Sequence, residues 1–196
     1  MDQNELRPWK TLARMTLLDH SRFLLVESHA VQLPSGRIIP DWPWLVIPSA
    51  AIVLAETAEH QFLCFRQTKY AIDGTSLAPV GGMLEPNEAP IAAAKRELLE
   101  ETGYEAPDWV SLGSHIVDPN RGIATMHLFL ALNARQVANP NSDDLEDQTL
   151  LFLSRAEIES ALRGGEFKIL AWSAVVALGL IYLSTSDDQR VAWPPG

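Results

Sequence analysis

Glu97, Glu100 and Glu101 are the residues of this chain whose type and spacing could do chemistry. On a helix, at about 100° per residue, their side chains fall within an arc of roughly 100°, with the small Ala93 on the same stripe. Three carboxylates on one face repel one another, so the stripe costs stability at neutral pH unless a cation neutralises it. Hard oxygen donors in that number suit Mg²⁺ or Mn²⁺, which keep water in their remaining positions. The competing reading is a solvated helix face on which Arg96 and Glu100 form an ordinary i,i+4 pair. The surroundings favour the first reading. A Gly-rich approach, Val80-Gly81-Gly82, an isolated Glu88 and a helix stop at Gly103 all occur around the stripe. That many fixed residues at fixed spacing recur by chance on the order of once in 10⁷ windows.

The helix that must carry the stripe is expected between Asn87, as N-cap, and Gly103, as left-handed stop, with Pro90 in its first turn. Ala, Leu, Glu, Lys and Arg fill it, and all are good helix formers. Ile91, Leu98 and Thr102 gather on the side expected to face the core. Ala50 to Ala55 and Phe62 to Phe65 read as two strands, followed by a polar exit, Arg66-Gln67-Thr68-Lys69-Tyr70. Leu77 to Val80 leads into the Gly-rich loop. Beyond the helix, His115 to Asp118, Thr125 to Asn133 and Thr149 to Leu153 are strand-like. An acidic loop containing Asp143, Asp144, Glu146 and Asp147 precedes the last of these. Ser154 with Glu157 is a capping box that opens a short helix to about Arg163, and an apolar helix follows from about Phe167. At the other end, Met15 to Leu18 and Phe23 to Leu33, with a turn at Pro34-Ser35-Gly36, predict a small antiparallel β unit. Asp41-Trp42-Pro43-Trp44 reads as a connection. The order implies an α+β fold, with an N-terminal β unit over residues 1–44 and the main domain over residues 45–196.

Bulk properties narrow the partners. The chain has 196 residues, 47% of them apolar and 20% charged, which is the composition of a globular protein. A net charge of −10 argues against non-specific binding to nucleic acid or anionic membrane. Cys64 is the one cysteine, so no intrachain disulfide forms, and its apolar neighbours predict a core position. The first residues lack the basic and apolar regions of a signal peptide, which gives cytoplasm as the expected location. Ile169 to Leu183 is apolar but shorter than the roughly 20 residues that span a bilayer, so it is expected as a buried helix.

At Gly82, Glu88, Arg96, Glu97, Glu100, Glu101 and Gly103 the segment resembles the Nudix box, with Tyr104 a mild departure where an aliphatic residue is usual. The resemblance implies a Nudix-type α/β/α sandwich around a mixed β-sheet, and hydrolysis of a nucleoside diphosphate linked to another group. It also implies roles. Glu97 and Glu101 would be direct metal ligands, Glu100 a direct or water-mediated one, and the Gly81 carbonyl a further ligand. Arg96 would orient the carboxylates and Glu88 would brace the start of the helix. Outside the box, the chain is similar to the ADP-ribose pyrophosphatase branch in its N-terminal β unit, Arg66–Tyr70, the strand His127–Ala131, the acidic loop and the two C-terminal helices. It departs at Ala78, where that branch commonly has Glu. Homodimers formed through the N-terminal unit are a further implication of the resemblance.

A pyrophosphate link needs neutralised charge, an aligned water and a group to accept its proton. Two or three Mg²⁺ (or Mn²⁺) on the helix carboxylates would meet the first two needs. With those carboxylates occupied, a loop carboxylate is the natural base, and Glu146 matches the branch's loop glutamate; a solvated acidic loop is the competing reading. Arg66 and Lys69 are candidate diphosphate contacts, or surface charge. Trp42 and Trp44 are candidate stacking faces for a nucleobase, or packing residues. His115 and His127 read as core or strand histidines. The expectation is hydrolysis of ADP-ribose or a related nucleoside diphosphate sugar. Nucleoside triphosphates or dinucleoside polyphosphates are the alternative substrates. A module that binds a nucleotide sugar without cleaving it is the alternative class.

Overall fold

Three strands begin the chain: β1 (Lys10–His20), β2 (Leu24–Gln32) and β3 (Ile38–Val46), the last rich in β-branched and aromatic residues. They form an antiparallel sheet in the order β1-β2-β3, as the small N-terminal unit was expected to. The computed structural model describes residues 6–141 and 147–185. Asp41 to Trp44, expected as a connection, lies inside β3. Proline is tolerated there because β3 is at the edge of its sheet, where a missing N–H need not break the ladder. This sheet belongs to one unit, Met1–Pro48 with Ile116–Thr125; Ser49–His115 and Met126–Gly196 form the other.

The second unit is built on a larger sheet. Its strands are β4 (Ala50–Thr57), β5 (Phe62–Gln67), β6 (Ser76–Ala78), β7 (Val80–Met83), β8 (Tyr104–Glu105), β9 (Asp108–Asp118), β10 (Ile123–Gln136) and β11 (Gln148–Leu153). The central order is β11-β5-β4-β10-β8, with β6 on β5, β7 on β4 and β9 on β10. β4 and β10 run parallel while β11, β5 and β7 pair antiparallel, so the sheet is mixed. β4 meets β5 at Ala55–Leu63 and Glu56–Phe62, and the two strands then part. Residues 76–83 enter that fork, with β6 along β5 and β7 along β4. The segment expected as a Gly-rich loop is therefore strand β7. Glycine is what lets it lie there, because a Cβ on Gly81 would meet Ala51 O at 2.4 Å.

Helix α1 (Pro90–Thr102) packs on β4 and β7. Buried Ala93 and Ala94 let it lie close, and Leu98 and Thr102 complete its inner face. Ile91 is not part of that face and is exposed. On the other side of the sheet, α3 (Leu170–Ser184) crosses β4 with Gly179 against Leu54, and α2 (Arg155–Arg163) packs on α3 and β11. The result is an α/β/α sandwich. Fully buried Leu54, Leu63, Leu98, Leu128 and Leu130 fill its centre, each contributing about 1.5–3 kcal/mol by burial. α2 begins with the predicted capping box: Glu157 N–H donates to Ser154 Oγ, and the Glu157 carboxylate accepts Ser154 N–H at 2.8 Å. α3 buries Trp172, Val175, Val176 and Leu180. Among the described residues no helix is long and apolar enough to cross a membrane.

Candidate active site

α1 starts at Ala89, not at Asn87. Asn87 instead takes a positive φ of 66° in the turn before the helix, and the neighbouring Glu88 does the local bonding. Glu88 Oε2 accepts Glu85 N–H at 2.9 Å, which fixes that turn. Its two carboxylate oxygens also accept from Arg96 Nε and Nη2, both at 2.9 Å, in the bidentate geometry that a guanidinium fork suits. At the far end Gly103 closes the helix with φ 74°, as expected, and its N–H donates to Leu99 O.

Arg96 is the hub. Nη1 donates to Glu97 Oε1 at 2.7 Å and to Glu100 Oε2 at 3.1 Å, and Nη2 also reaches Met83 O. The hydrogen bonds from Arg96 hold the Glu88 carboxyl below its ordinary value, against a smaller opposing effect of burial. Those same carboxylates, Glu88 first, raise the guanidinium's own pKa. Arg96 is thus a permanent cation among acids.

The three stripe carboxylates part company in space. Glu97 is 13% exposed and Glu100 49%. The Glu97 carboxylate lies against the backbone of Gly82, in the volume where a Cβ would sit. Glu101 Oε2 accepts the Gly81 N–H at 3.0 Å. Glu97 and Glu101 therefore lie on neighbouring residues of β7, Gly82 and Gly81, while Glu100 faces outward on Arg96. The donors near Gly81-Gly82 are all hard oxygens, the chemistry a small divalent cation takes. Among the described residues no three His, Cys, Asp or Glu side chains stand close enough together to hold an ion as placed; Arg96 engages Glu97 and Glu100. The donor set fits Mg²⁺ or Mn²⁺ in kind, and binding would draw Glu97 and Glu100 from Arg96.

Arg66, Lys69, Trp42 and Trp44 lie on or beside other elements. Arg66 Nη2 donates to Glu166 Oε2 at 2.6 Å. Strand alternation sets Arg66 with Cys64 and Leu54, on the side of α3 and away from α1. Glu166 was not foreseen; it follows Gly164-Gly165 with no local pattern to mark it, and it is held by Leu77 N–H and Ser76 Oγ donating to its carbonyl. Lys69 lies just past β5, where its carbonyl accepts Ile72 N–H. Trp42 and Trp44 both lie in the first unit. Trp42 Nε1 donates to Asn120 O at 2.7 Å and its ring meets Trp9 edge-on. Trp44 stacks on His29 at 5.1 Å and lies over Gly122, where a Cβ would strike the ring. Both indoles are engaged in packing. Glu146 lies outside the described residues.

His127, on β10, bonds Ser114 Oγ through Nδ1 at 2.8 Å, and burial lowers its pKa. His115 is exposed on β9, so it is a strand histidine but not a core one. Cys64 is fully buried, and desolvation pushes its thiol up to about 12.

A carboxylate helix braced by Arg96 against a two-glycine strand, on an α/β/α sandwich, defines a class. Residues 46–173 match the NUDIX domain, and the chain belongs to the Nudix family of hydrolases. Over 157 residues it is 27% identical to an ADP-ribose pyrophosphatase of Bacillus subtilis, covering 80% of this chain and 83% of that protein. It is likewise 27% identical over 171 residues to a CMP-5'-(N-acetyl-N-hydroxy-3-aminopropyl)phosphonate hydrolase of Streptomyces rubellomurinus, covering 86% and 81%. A methanol dehydrogenase activator of Bacillus methanolicus is 28% identical over 142 residues, covering 72% and 75%. Among solved structures, an ADP compounds hydrolase superposes with a TM-score of 0.77 at 19% identity, covering 95% of this chain and 98% of that one, which is a likeness of fold.

Proposed function

We propose that this chain hydrolyses the pyrophosphate bond of ADP-ribose or a related nucleoside diphosphate sugar, giving a nucleoside monophosphate and a sugar phosphate. The observation that carries the reading is the placement of Glu97 and Glu101 on Gly82 and Gly81, with Arg96, itself held by Glu88, bracing Glu97. The similarity to an ADP-ribose pyrophosphatase supports the substrate class. Nudix hydrolases generally use divalent metal ions, and two or three Mg²⁺ (or Mn²⁺) held by Glu97, Glu100, Glu101 and the Gly81 carbonyl would neutralise the diphosphate and activate water.

The chain's own residues do the rest. Glu88 fixes the Arg96 fork, and Arg96 orients Glu97 and Glu100. Glu101, held by the Gly81 N–H, keeps one carboxylate oxygen on the strand. Arg66 and Lys69 are the cations we assign to the diphosphate. Arg66 would have to leave Glu166, and Trp42 and Trp44 their packing, to touch substrate. Glu146 is the proposed base. Asn141, before its loop, is bonded to Glu100 O, and Gln148, after it, pairs with Gln67 at the end of β5.

Purified protein with Mg²⁺ should turn over ADP-ribose faster than GDP-mannose, CMP-linked conjugates or dNTPs. Turnover of dNTPs alone would sink the substrate assignment. Glu101→Gln keeps an acceptor for Gly81 N–H, so it should fold normally and lose hydrolysis; full activity would refute the metal assignment. Pairing of two copies through the N-terminal unit belongs to the same proposal. Exposed Leu12, Met15, Leu17 and Leu18 on β1 support it, and a monomer in sedimentation equilibrium would dismiss it. The acidic net charge supports a small-molecule partner over nucleic acid or membrane, and the cytoplasm is the location proposed with it.

A further inference from the structure

The last turn of α1 carries Glu100 and Glu101, and its final carbonyls need partners from outside the helix. Gly103 N–H supplies one, to Leu99 O at 2.8 Å. The partner for Glu100 O comes from beyond β10: Asn141 N–H donates to it at 2.8 Å. Two more bonds dock the same segment, Val137 N–H and Ala138 N–H both donating to Gly103 O, at 2.9 and 3.1 Å. Gly103 is needed for this approach as well as for its left-handed φ of 74°, since a Cβ on it would meet Ala138 O at 2.2 Å. Pro140 stiffens the segment just before Asn141. Residues 137–141 thus lie across the end of the helix and bond its backbone at two places.

We infer that residues 137–141 are a strap that holds Glu100 and Glu101 in register for a divalent cation, with Asn141 and Gly103 as positioning residues. The inference rests on the metal reading proposed above. Helix ends fray, and a frayed turn would give each of these like-charged side chains room to swing apart. Asn141 pins the backbone of Glu100, while Gly81 N–H pins the carboxylate of Glu101 from the other side. Loss of an outer partner of this kind costs a metal site about 10- to 100-fold in affinity.

The test is Mn²⁺ binding without substrate, read from the EPR signal of the free ion. Asn141→Pro removes the N–H donor and should weaken Mn²⁺ binding by about tenfold. Asn141→Ala keeps the N–H and should restore parental affinity. Ser154→Ala removes the α2 cap; it should lower Tm and leave Mn²⁺ binding unchanged, which separates positioning from general destabilisation. Should Asn141→Pro fail to fold, Gly103→Asn serves in its place, since Asn tolerates the left-handed φ while its Cβ pushes against Ala138 O. Parental affinity in Asn141→Pro or Gly103→Asn would overturn the strap, as would equal weakening in Ser154→Ala. A parent protein that binds no Mn²⁺, or a Glu101→Gln variant that binds it undiminished, would overturn the metal reading itself.

Discussion

Gly82→Ala tests whether the Glu97 carboxylate has to lie on the backbone of β7. A Cβ at that position would meet Glu97 Oε1 at 2.2 Å and Cδ at 2.4 Å, where ordinary contact is 3.4–4 Å. The carboxylate must therefore retreat by about 1 Å or more, since overlap on that scale is strongly repulsive. Gly82 has no left-handed φ, so alanine suits its backbone, and only the end of a flexible side chain stands in the way. The fold should lose little, about 1 kcal/mol or less. Activity should lose much more, because misplacing a group by about 1 Å in a reacting assembly costs about 10²-fold. Gly81→Ala is the contrast. There a Cβ meets backbone, Ala51 O at 2.4 Å and Ile52 Cα at 3.0 Å, at a φ of 155°, so stability itself should fall by about 1–3 kcal/mol or more. The two variants are compared by ADP-ribose hydrolysis with Mg²⁺ and by thermal melting. A Gly82→Ala enzyme with parental kcat would refute the argument, and so would one that melts as early as Gly81→Ala.

Arg96→Gln leaves Glu88, Glu97 and Glu100 without their shared cation, so the metal-free protein should lose about 1–3 kcal/mol, and added Mg²⁺ should raise its Tm more than the parent's. Glu88 gives a pH signature. Its carboxyl is held below its ordinary value of 4.5, so its contribution is complete above that pH and is lost as the pH falls through the lower, folded value. The stability gap between parent and Glu88→Gln in urea melts should be flat from about pH 8 to 5 and close below about pH 4. Cys64, buried with its thiol pushed up to about 12, should resist a thiol reagent at neutral pH until the chain unfolds.

What could be read from the sequence was local. The helix stop at Gly103, the capping box of Ser154 and Glu157 and the apolar strands β4 and β5 each depend on residues a few positions apart. What could not be read was long-range. Asn87 satisfies every local rule for an N-cap, but Glu88 binds Arg96, and the turn they fix puts Asn87 outside the helix. Pro43 argues against a strand unless the strand is known to be an edge, which only the sheet order tells. For Arg66, the alternation of β5 is plain, but both of its faces are apolar, so the sequence does not say which one meets α1. Asn141 acts through its backbone, and no side-chain pattern reports that.

The carboxylate stripe began as two readings, a solvated face or a cation site, and burial bears on each residue separately. A solvated face would let all three carboxylates reach water. Glu100 does, at 49% exposed, and an i,i+4 pair with Arg96 accounts for it. Glu97 does not: at 13% exposed it is packed on a glycine that leaves room for it, and Glu101 is tied to the next residue along β7. Holding two anionic groups against one strand is unfavourable unless something positive compensates. Arg96 compensates in part, with its fork divided among Glu88, Glu97 and Glu100, and Glu101 accepts the Gly81 N–H. The chain as a whole carries a net charge of −10, so it offers no general positive field to an anionic substrate either. On the proposed reading, the positive charge that such a substrate needs would be recruited as a divalent cation, with Glu97, Glu101 and the Gly81 carbonyl as its donors.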